Sequence, residues 1–190
     1  MFVNDQVSLM LSKKSWFRTQ ADKYKVARWV TDGEGAILHL LVASHEPNAV
    51  IEVGTANGWS ACWMAAAGRS VYTFDVADRP KVFQEKDLES FEKLIRFQPR
   101  ELEASHLESF DSLPRKLFFL DGDHTYKGIK KDWETIRPFI KDNDIVVFHD
   151  VKGEAGVLIF WGQLQEEYKK DFSFVECETE RGMGILRPRR

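Results

Sequence analysis

Cysteine is scarce: the 190 residues hold two, Cys62 and Cys177, far apart in the chain. They offer neither a disulfide framework nor the paired spacing of a thiolate metal site, so a reducing, cytoplasmic setting is expected. Cys62 stands among apolar residues and reads as core; Cys177 falls in an expected strand. Long apolar runs are also missing, and none approaches the roughly 20 residues that span a bilayer. Met1 to Trp16 lacks the apolar centre and small-residue cleavage site of a secretory signal. Neither sign of charge dominates. With 27 basic and 30 acidic residues the net charge is −3, which excludes a broad positive field drawing the chain to nucleic acid or an anionic membrane. The one dense basic cluster, Arg187 to Arg190, reads as a solvated tail. Repeats, low-complexity tracts and linkers are absent. The length suits a single domain over residues 1–190, with residues 1–32 as a helical cap or arm.

What is present alternates. Ala49 to Val53, Ser70 to Phe74, Lys116 to Leu120 and Asp144 to Phe148 are short apolar runs that end in polar residues, the pattern of buried parallel strands. Helical stretches lie between them. Gly35 to Ser44 precedes the first strand, and Ser60 to Ala67 follows it. In Tyr126 to Ile140, the residues Ile129, Trp133, Ile136 and Ile140 share one face. In Val157 to Tyr168, Ile159, Trp161, Leu164 and Tyr168 repeat the pattern. Phe172 to Glu178 and Gly184 to Leu186 suggest a closing hairpin. This alternation predicts an α/β fold with helices on both faces of a mostly parallel sheet. Phe83 to Leu113 should hold a helix near Lys86 to Ile95 and one more strand, at Leu94 to Gln98 or at Arg100 to Glu103. Pro99 argues against a strand through both.

Glu52-Val-Gly54-Thr55-Ala-Asn-Gly58-Trp-Ser60 joins the first strand to a helix. Gly54 permits positive φ and close approach of a ligand, and amides at a helix start suit an anionic group. The stretch has neither the three glycines of a dinucleotide fingerprint nor the lysine of a phosphate loop, which disfavours a pyrophosphate ligand. Glu52 fits a cationic ligand group, or else pairs with its own turn amides. Asp75, about 20 residues on, is placed to accept from ribose hydroxyls or is a solvated strand end; Asp78 is a second candidate.

Asp121-Gly-Asp123-His124-Thr-Tyr126 and His149-Asp150 both follow apolar strands and converge at the same sheet edge. Crowded carboxylates repel, and a divalent cation between Asp121 and Asp150 relieves this. Oxygen ligands favour magnesium; His149 as a ligand shifts preference toward manganese, iron or zinc. The competing reading is that these acids cap the next helix.

Taken in order, EVGTANGWS, YTFDV, FFLDGDHTYKGIKKDWE and IVVFHDV resemble class I S-adenosylmethionine-dependent methyltransferases. The likeness runs from about Gly35 to the end. It is nearest to the small-molecule branch with sugar O-methyltransferases and proteins labelled cephalosporin hydroxylase. That resemblance implies a Rossmann-like seven-stranded sheet with an antiparallel last strand. It implies methyl transfer to a hydroxyl of a small molecule or sugar, assisted by a divalent cation, magnesium or manganese. Gly54, Thr55, Gly58 and Ser60 would line the methionine end of the cofactor, with Glu52 near its ammonium group, Asp75 at its ribose and Asp121 beside it. Asp121, His149 and Asp150 match the metal positions, with His149 where relatives carry Asp. Asp123 matches the base of the sugar enzymes and His124 the lysine of catechol-type enzymes, so both are catalytic candidates. The usual Gly-acid-Ser signature after the third strand is missing, which leaves Ser105 and His106 as guesses for an adenine contact. The alternatives are a metal-independent methyltransferase and a non-catalytic cofactor-binding protein. A metal-dependent hydrolase would leave the glycine turn and Asp75 unexplained. The acceptor is expected to be a small molecule or glycan, with no nucleic-acid or membrane partner. Whether copies associate into a homo-oligomer is not readable.

Overall fold

The computed structural model describes residues 30–77 and 92–189. The arm before Val30, Asp78 and most of the helix expected near Lys86 to Ile95 lie outside them. The elements follow in chain order: α1 (Asp32–His45), β1 (Ala49–Val53), α2 (Trp59–Ala65), β2 (Val71–Asp75), β3 (Ile95–Pro99), α3 (Ala104–Leu107), β4 (Lys116–Leu120), α4 (Tyr126–Ile136), β5 (Ile145–His149), α5 (Ala155–Tyr168), β6 (Phe172–Cys177) and β7 (Met183–Pro188). Between the two strand alternatives in the weakest segment, the first stands; Pro99 ends β3.

One seven-stranded sheet runs in the order β3-β2-β1-β4-β5-β7-β6. β1 pairs in parallel with β2 and β4, β2 with β3, and β4 with β5. β7 runs antiparallel to both β5 and β6, so the expected seven-stranded Rossmann-like sheet closes with the expected reversed last strand. The reversal brings the β6–β7 turn back to the edge where the parallel strands end.

Strand residues alternate between two cores, as a period-two backbone requires. Val50, Leu117, Phe119, Ile145 and Val147 pack toward α1 and α2. Ile51, Val53, Phe118, Leu120, Val146 and Phe148 pack toward α4 and α5. All three central strands are fully buried, which explains their unbroken apolar runs.

Local chemistry sets the helix ends. Thr31 and Glu34 form a capping box that opens α1. Thr125 caps α4 by accepting from the Gly128 amide, and Pro138 sits in the tighter turn that follows Ile136. Ile140 therefore lies beyond the helix, although it still packs on the core. In α5 the buried face is Val157, Phe160, Trp161 and Leu164, whereas Ile159 is 55% exposed. The sequence spacing had assigned Ile159 to the core; a one-residue phase error follows easily where apolar residues are consecutive.

At the opposite edge of the sheet, Lys116 and Asp144 form an ion pair at 2.9 Å with both side chains fully buried. Asp144 also accepts from the Lys116 and Lys141 amides, at 2.7 and 2.9 Å. Removing one partner leaves an uncompensated buried charge. Asp144→Ala is therefore expected to destabilise the fold by about 3–5 kcal/mol in urea titration. A loss within the scatter of surface substitutions would show that the pair is not what holds β4 to β5 at this end.

Candidate active site

The sheet order reverses between β1 and β4, and their carboxyl ends splay apart there, the usual ligand position in open α/β sheets. A cleft of about 580 Å³ opens at this point. Its lining comes from the carboxyl ends of β1, β2, β3 and β4 and from α4, including Gly54, Asp75, Leu102, Asp121, Asp123 and Asp132. Gly54 has φ +94°, and a Cβ on it would lie 2.0 Å from the Asp121 carbonyl oxygen. Its absence of a side chain is demanded by the backbone that follows β4.

Glu52 is wholly buried. One carboxylate oxygen accepts from the Ser60 hydroxyl at 2.5 Å, while Oε2 has no hydrogen-bond partner. Burial, outweighing the hydrogen bonds from Ser60 and Thr73, pushes the carboxyl up to about 8, and the charges of Asp121 and Asp75 add to the rise. Thr55 is buried, with its hydroxyl 2.5 Å from that of Thr73, so only its backbone faces the turn. Gly58 caps α2 in the left-handed region at φ +79°. Asp75 accepts from the Ala56 amide at 2.8 Å and the Ala77 amide at 2.9 Å, tying the end of β2 to the glycine turn.

A charged cluster borders the cleft. His149 is 1% exposed, and its Nδ1 lies 3.1 Å from Asp121 Oδ1 and 3.2 Å from Asp150 Oδ2. Its Nε2 lies 3.3 Å from Glu34 Oε2. Burial works against a charge on His149, yet the surrounding carboxylates of Asp121, Asp150 and Glu34 prevail and push the imidazole up to about 11. His124 Nε2 lies 3.2 Å from the same two aspartate oxygens. The Asp121 contact raises the His124 pKa against the effect of burial. Arg181, from the β6–β7 turn, donates to Asp150 Oδ1 at 3.2 Å. Burial opposes ionisation of Asp150, but His149 and Arg181 hold its carboxyl below the ordinary range. Asp150 itself sits at φ +60°, a conformation aspartate tolerates better than most residues.

The donor chemistry fits a divalent cation. Asp121, His124 and Asp150 place ligand atoms within 4.8 Å of one another, and His149 Nδ1 adjoins both carboxylates. Contacts of 3.1–3.2 Å match the spacing of neighbouring ligands around one ion with bonds of about 2.1 Å. The converging trio contains His124, which the sequence reading had placed as a base, beside the expected Asp121 and Asp150. Asp123 is exposed, with Oδ1 accepting from the Thr125 amide at 2.9 Å. Gly128 leaves it room, since a Cβ there would lie 2.4 Å from Asp123 Oδ2.

The family model described as a methyltransferase domain matches residues 51–151, which include every expected site residue. The chain belongs to this methyltransferase family. No protein of curated function matches the sequence. Among solved structures, an O-methyltransferase of Streptomyces achromogenes involved in tomaymycin synthesis, in complex with S-adenosylmethionine, is 16% identical. The match covers 93% of this chain and 89% of that one, with a TM-score of 0.66. The O-methyltransferase from Bacillus cereus, in complex with S-adenosylhomocysteine, is also 16% identical, covering 96% and 91% with a TM-score of 0.64. At these identities the likeness is one of fold. Family and fold together give a class I S-adenosylmethionine-dependent methyltransferase; neither comparison points to the cephalosporin-hydroxylase-like branch.

Sequence reasoning missed several residues of this methyltransferase's cleft and of the charged cluster beside it. Glu34 was legible only as a helix cap, and nothing in its spacing reveals a partner 115 positions away at His149. Arg181 falls in the turn of the expected closing hairpin, where nothing marks it as a partner of Asp150. Glu101 and Leu102 line the cleft where Ser105 and His106 were the guesses; His106 instead stacks on Phe74 at 5.6 Å between ring centres. Asp132, one turn into α4, also lines the cleft, and burial raises its carboxyl to about 6. Among the described residues no helix is long and apolar enough to cross a membrane.

Glu52 yields a pH prediction. Its carboxyl is raised in the folded chain, so its contribution is fully present below its unfolded pKa near 4.5 and is lost as pH rises through about 8. Melting Glu52→Gln and the parent side by side from pH 5 to pH 9, about the two ends of that window, should show a gap that grows with pH in the variant's favour. A constant gap would mean that Glu52 does not titrate in this range.

Proposed function

We propose that this methyltransferase transfers the methyl group of S-adenosylmethionine to a hydroxyl oxygen of a small molecule or sugar, with a divalent cation at the aspartate–histidine centre. The observation that carries the reading is the buried Oε2 of Glu52, which has no hydrogen-bond partner and lies one residue before the Val53–Gly54 stretch that lines the cleft. A bare carboxylate is costly to bury there, which is why the carboxyl is raised to about 8, and the ammonium of a bound amino-acid ligand would offset that cost and restore its charge. The printed identities of the structural neighbours, O-methyltransferases with this cofactor or its product bound, support the choice of ligand and of oxygen as acceptor.

The sulfonium methyl is the electrophile that the cofactor brings. The chain supplies position and a place for the proton. Ser60 fixes the Glu52 carboxylate, the bare backbone at Gly54 and Gly58 admits the methionine end, and Asp75 accepts from the ribose hydroxyls. Val76 and Leu102 offer apolar surface at the adenine end. Asp123, exposed at the cleft with His124 already committed to Asp121 and Asp150, accepts the acceptor's hydroxyl proton. A carbon–oxygen bond forms as the carbon–sulfur bond breaks, giving a methyl ether and S-adenosylhomocysteine. Asp121, His124, His149 and Asp150 would hold a divalent cation whose Lewis acidity lowers the hydroxyl's pKa. The balanced charges of the cluster, three carboxylates against His124, His149 and Arg181, favour a second reading, transfer without a metal. Free Cys62 and Cys177 suit a reducing compartment.

Calorimetric titration with S-adenosylhomocysteine, with and without EDTA, tests the reading. Saturable micromolar binding is expected, reduced at least tenfold in Glu52→Ala. Absence of binding in both buffers would remove the cofactor assignment. Asp123→Asn is expected to keep that affinity and lose about 10²- to 10⁴-fold in turnover, the range of a general base; unchanged turnover would move the proton elsewhere.

A further inference from the structure

Among the described residues five carboxylates line the cleft: Asp75, Glu101, Asp121, Asp123 and Asp132. Four of them have partners. Asp75 accepts from the Ala56 and Ala77 amides, and Asp123 from the Thr125 amide. Asp121 faces His124 and His149, and Glu101 accepts from Lys131 at 2.5 Å. Asp132 accepts no hydrogen bond among the described residues, and burial, the largest cause, raises its carboxyl to about 6. It reaches the cleft from α4 beside bare main chain. A Cβ on Gly122 would lie 3.3 Å from Asp132 Oδ2, so a larger residue between Asp121 and Asp123 would crowd that carboxylate.

The Lys131–Glu101 pair shows which end of the cleft this is. Glu101 and Leu102 follow β3, and β3 lies beyond β2 in the sheet. Lys131 joins α4 to that end, and Asp132 is next to it in the chain. With the methionine end of the ligand at Gly54 after β1 and its ribose at Asp75 on β2, the next strand outward borders the base.

We infer that Asp132 selects the purine of the bound nucleoside: its carboxylate accepts from the exocyclic 6-amine of adenine and turns away a 6-oxopurine. The inference rests on the cofactor reading above and adds the residue that discriminates between bases. An ionised carboxylate can only accept. A 6-amine donates to it, whereas a 6-oxo group sets acceptor against acceptor and leaves both unsatisfied. Glu101 is committed to Lys131, which leaves Asp132 as the unfilled acceptor on this side.

The test titrates the full chain calorimetrically at about pH 8, where Asp132 is ionised, with S-adenosylhomocysteine and with its deaminated counterpart, S-inosylhomocysteine. The parent is expected to bind the adenosyl form about 10- to 100-fold more tightly, the span of one hydrogen bond to a charged group. Asp132→Asn is isosteric, and its amide can accept or donate, so the two affinities should come within about threefold of each other. A merely structural role for Asp132 would weaken both ligands alike and keep the parent ratio, and that result would sink the inference. Equal affinities in the parent would overturn it without any variant. Loss of discrimination in Glu101→Gln, with the parent ratio kept in Asp132→Asn, would hand the base to Glu101 instead. If the parent binds neither ligand, the cofactor reading falls and takes this inference with it; tight binding of the adenosyl form with no preference over the inosyl form removes the inference alone.

Discussion

The placement of His149 between Glu34 and the two aspartates is the contact on which the rest of the site depends. A buried imidazole facing carboxylates on both nitrogens is unusual, because each carboxylate must lose water to reach it. Here the loss is offset by charge: three acids converge on His149, with His124 and Arg181 supplying the balance. The groups come from α1, the ends of β4 and β5, and the β6–β7 turn. They meet only when the sheet is complete, so the cluster reports on the whole fold.

Strand register explains how this is arranged. β1, β4 and β5 end at one edge; Asp121, just after β4, is level with His149 at the end of β5, while Glu52 lies two positions deeper, paired with Phe119. β7 runs the other way, and its first residue, Met183, pairs with His149, the last residue of β5. The turn before Met183 therefore lies over the cluster, and Arg181 needs no long loop to reach Asp150. Glu52 occupies a different niche under the glycine turn, where Ser60 satisfies one oxygen and leaves the other buried without a hydrogen-bond partner.

Much of this was legible because the strands announce themselves. Five-residue apolar runs ending in acids or histidine gave the parallel core, and the polar residue after each run gave the site edge. Asp75, Asp121, Asp123, His124, His149 and Asp150 all fell out of that rule. What did not fall out was long-range pairing. Glu34 looks like any glutamate three residues after a threonine, and its second role exists only once β5 is beside α1. The phase of α5 was misjudged at Ile159 because Val157 to Phe160 is apolar throughout, and periodicity carries no information in such a run. The cleft wall at Glu101 and Leu102 was hidden because the segment before it lacks the pattern of the other strands.

The contact between Gly54 and the Asp121 carbonyl has a wider meaning. At the middle of the cleft two stretches of bare main chain touch, with no side chain between them. The floor is thus set by the path of the backbone, and point changes nearby can recolour the walls without reshaping it. Substitution can change the chemistry of such a cleft through its walls while its floor stays the same.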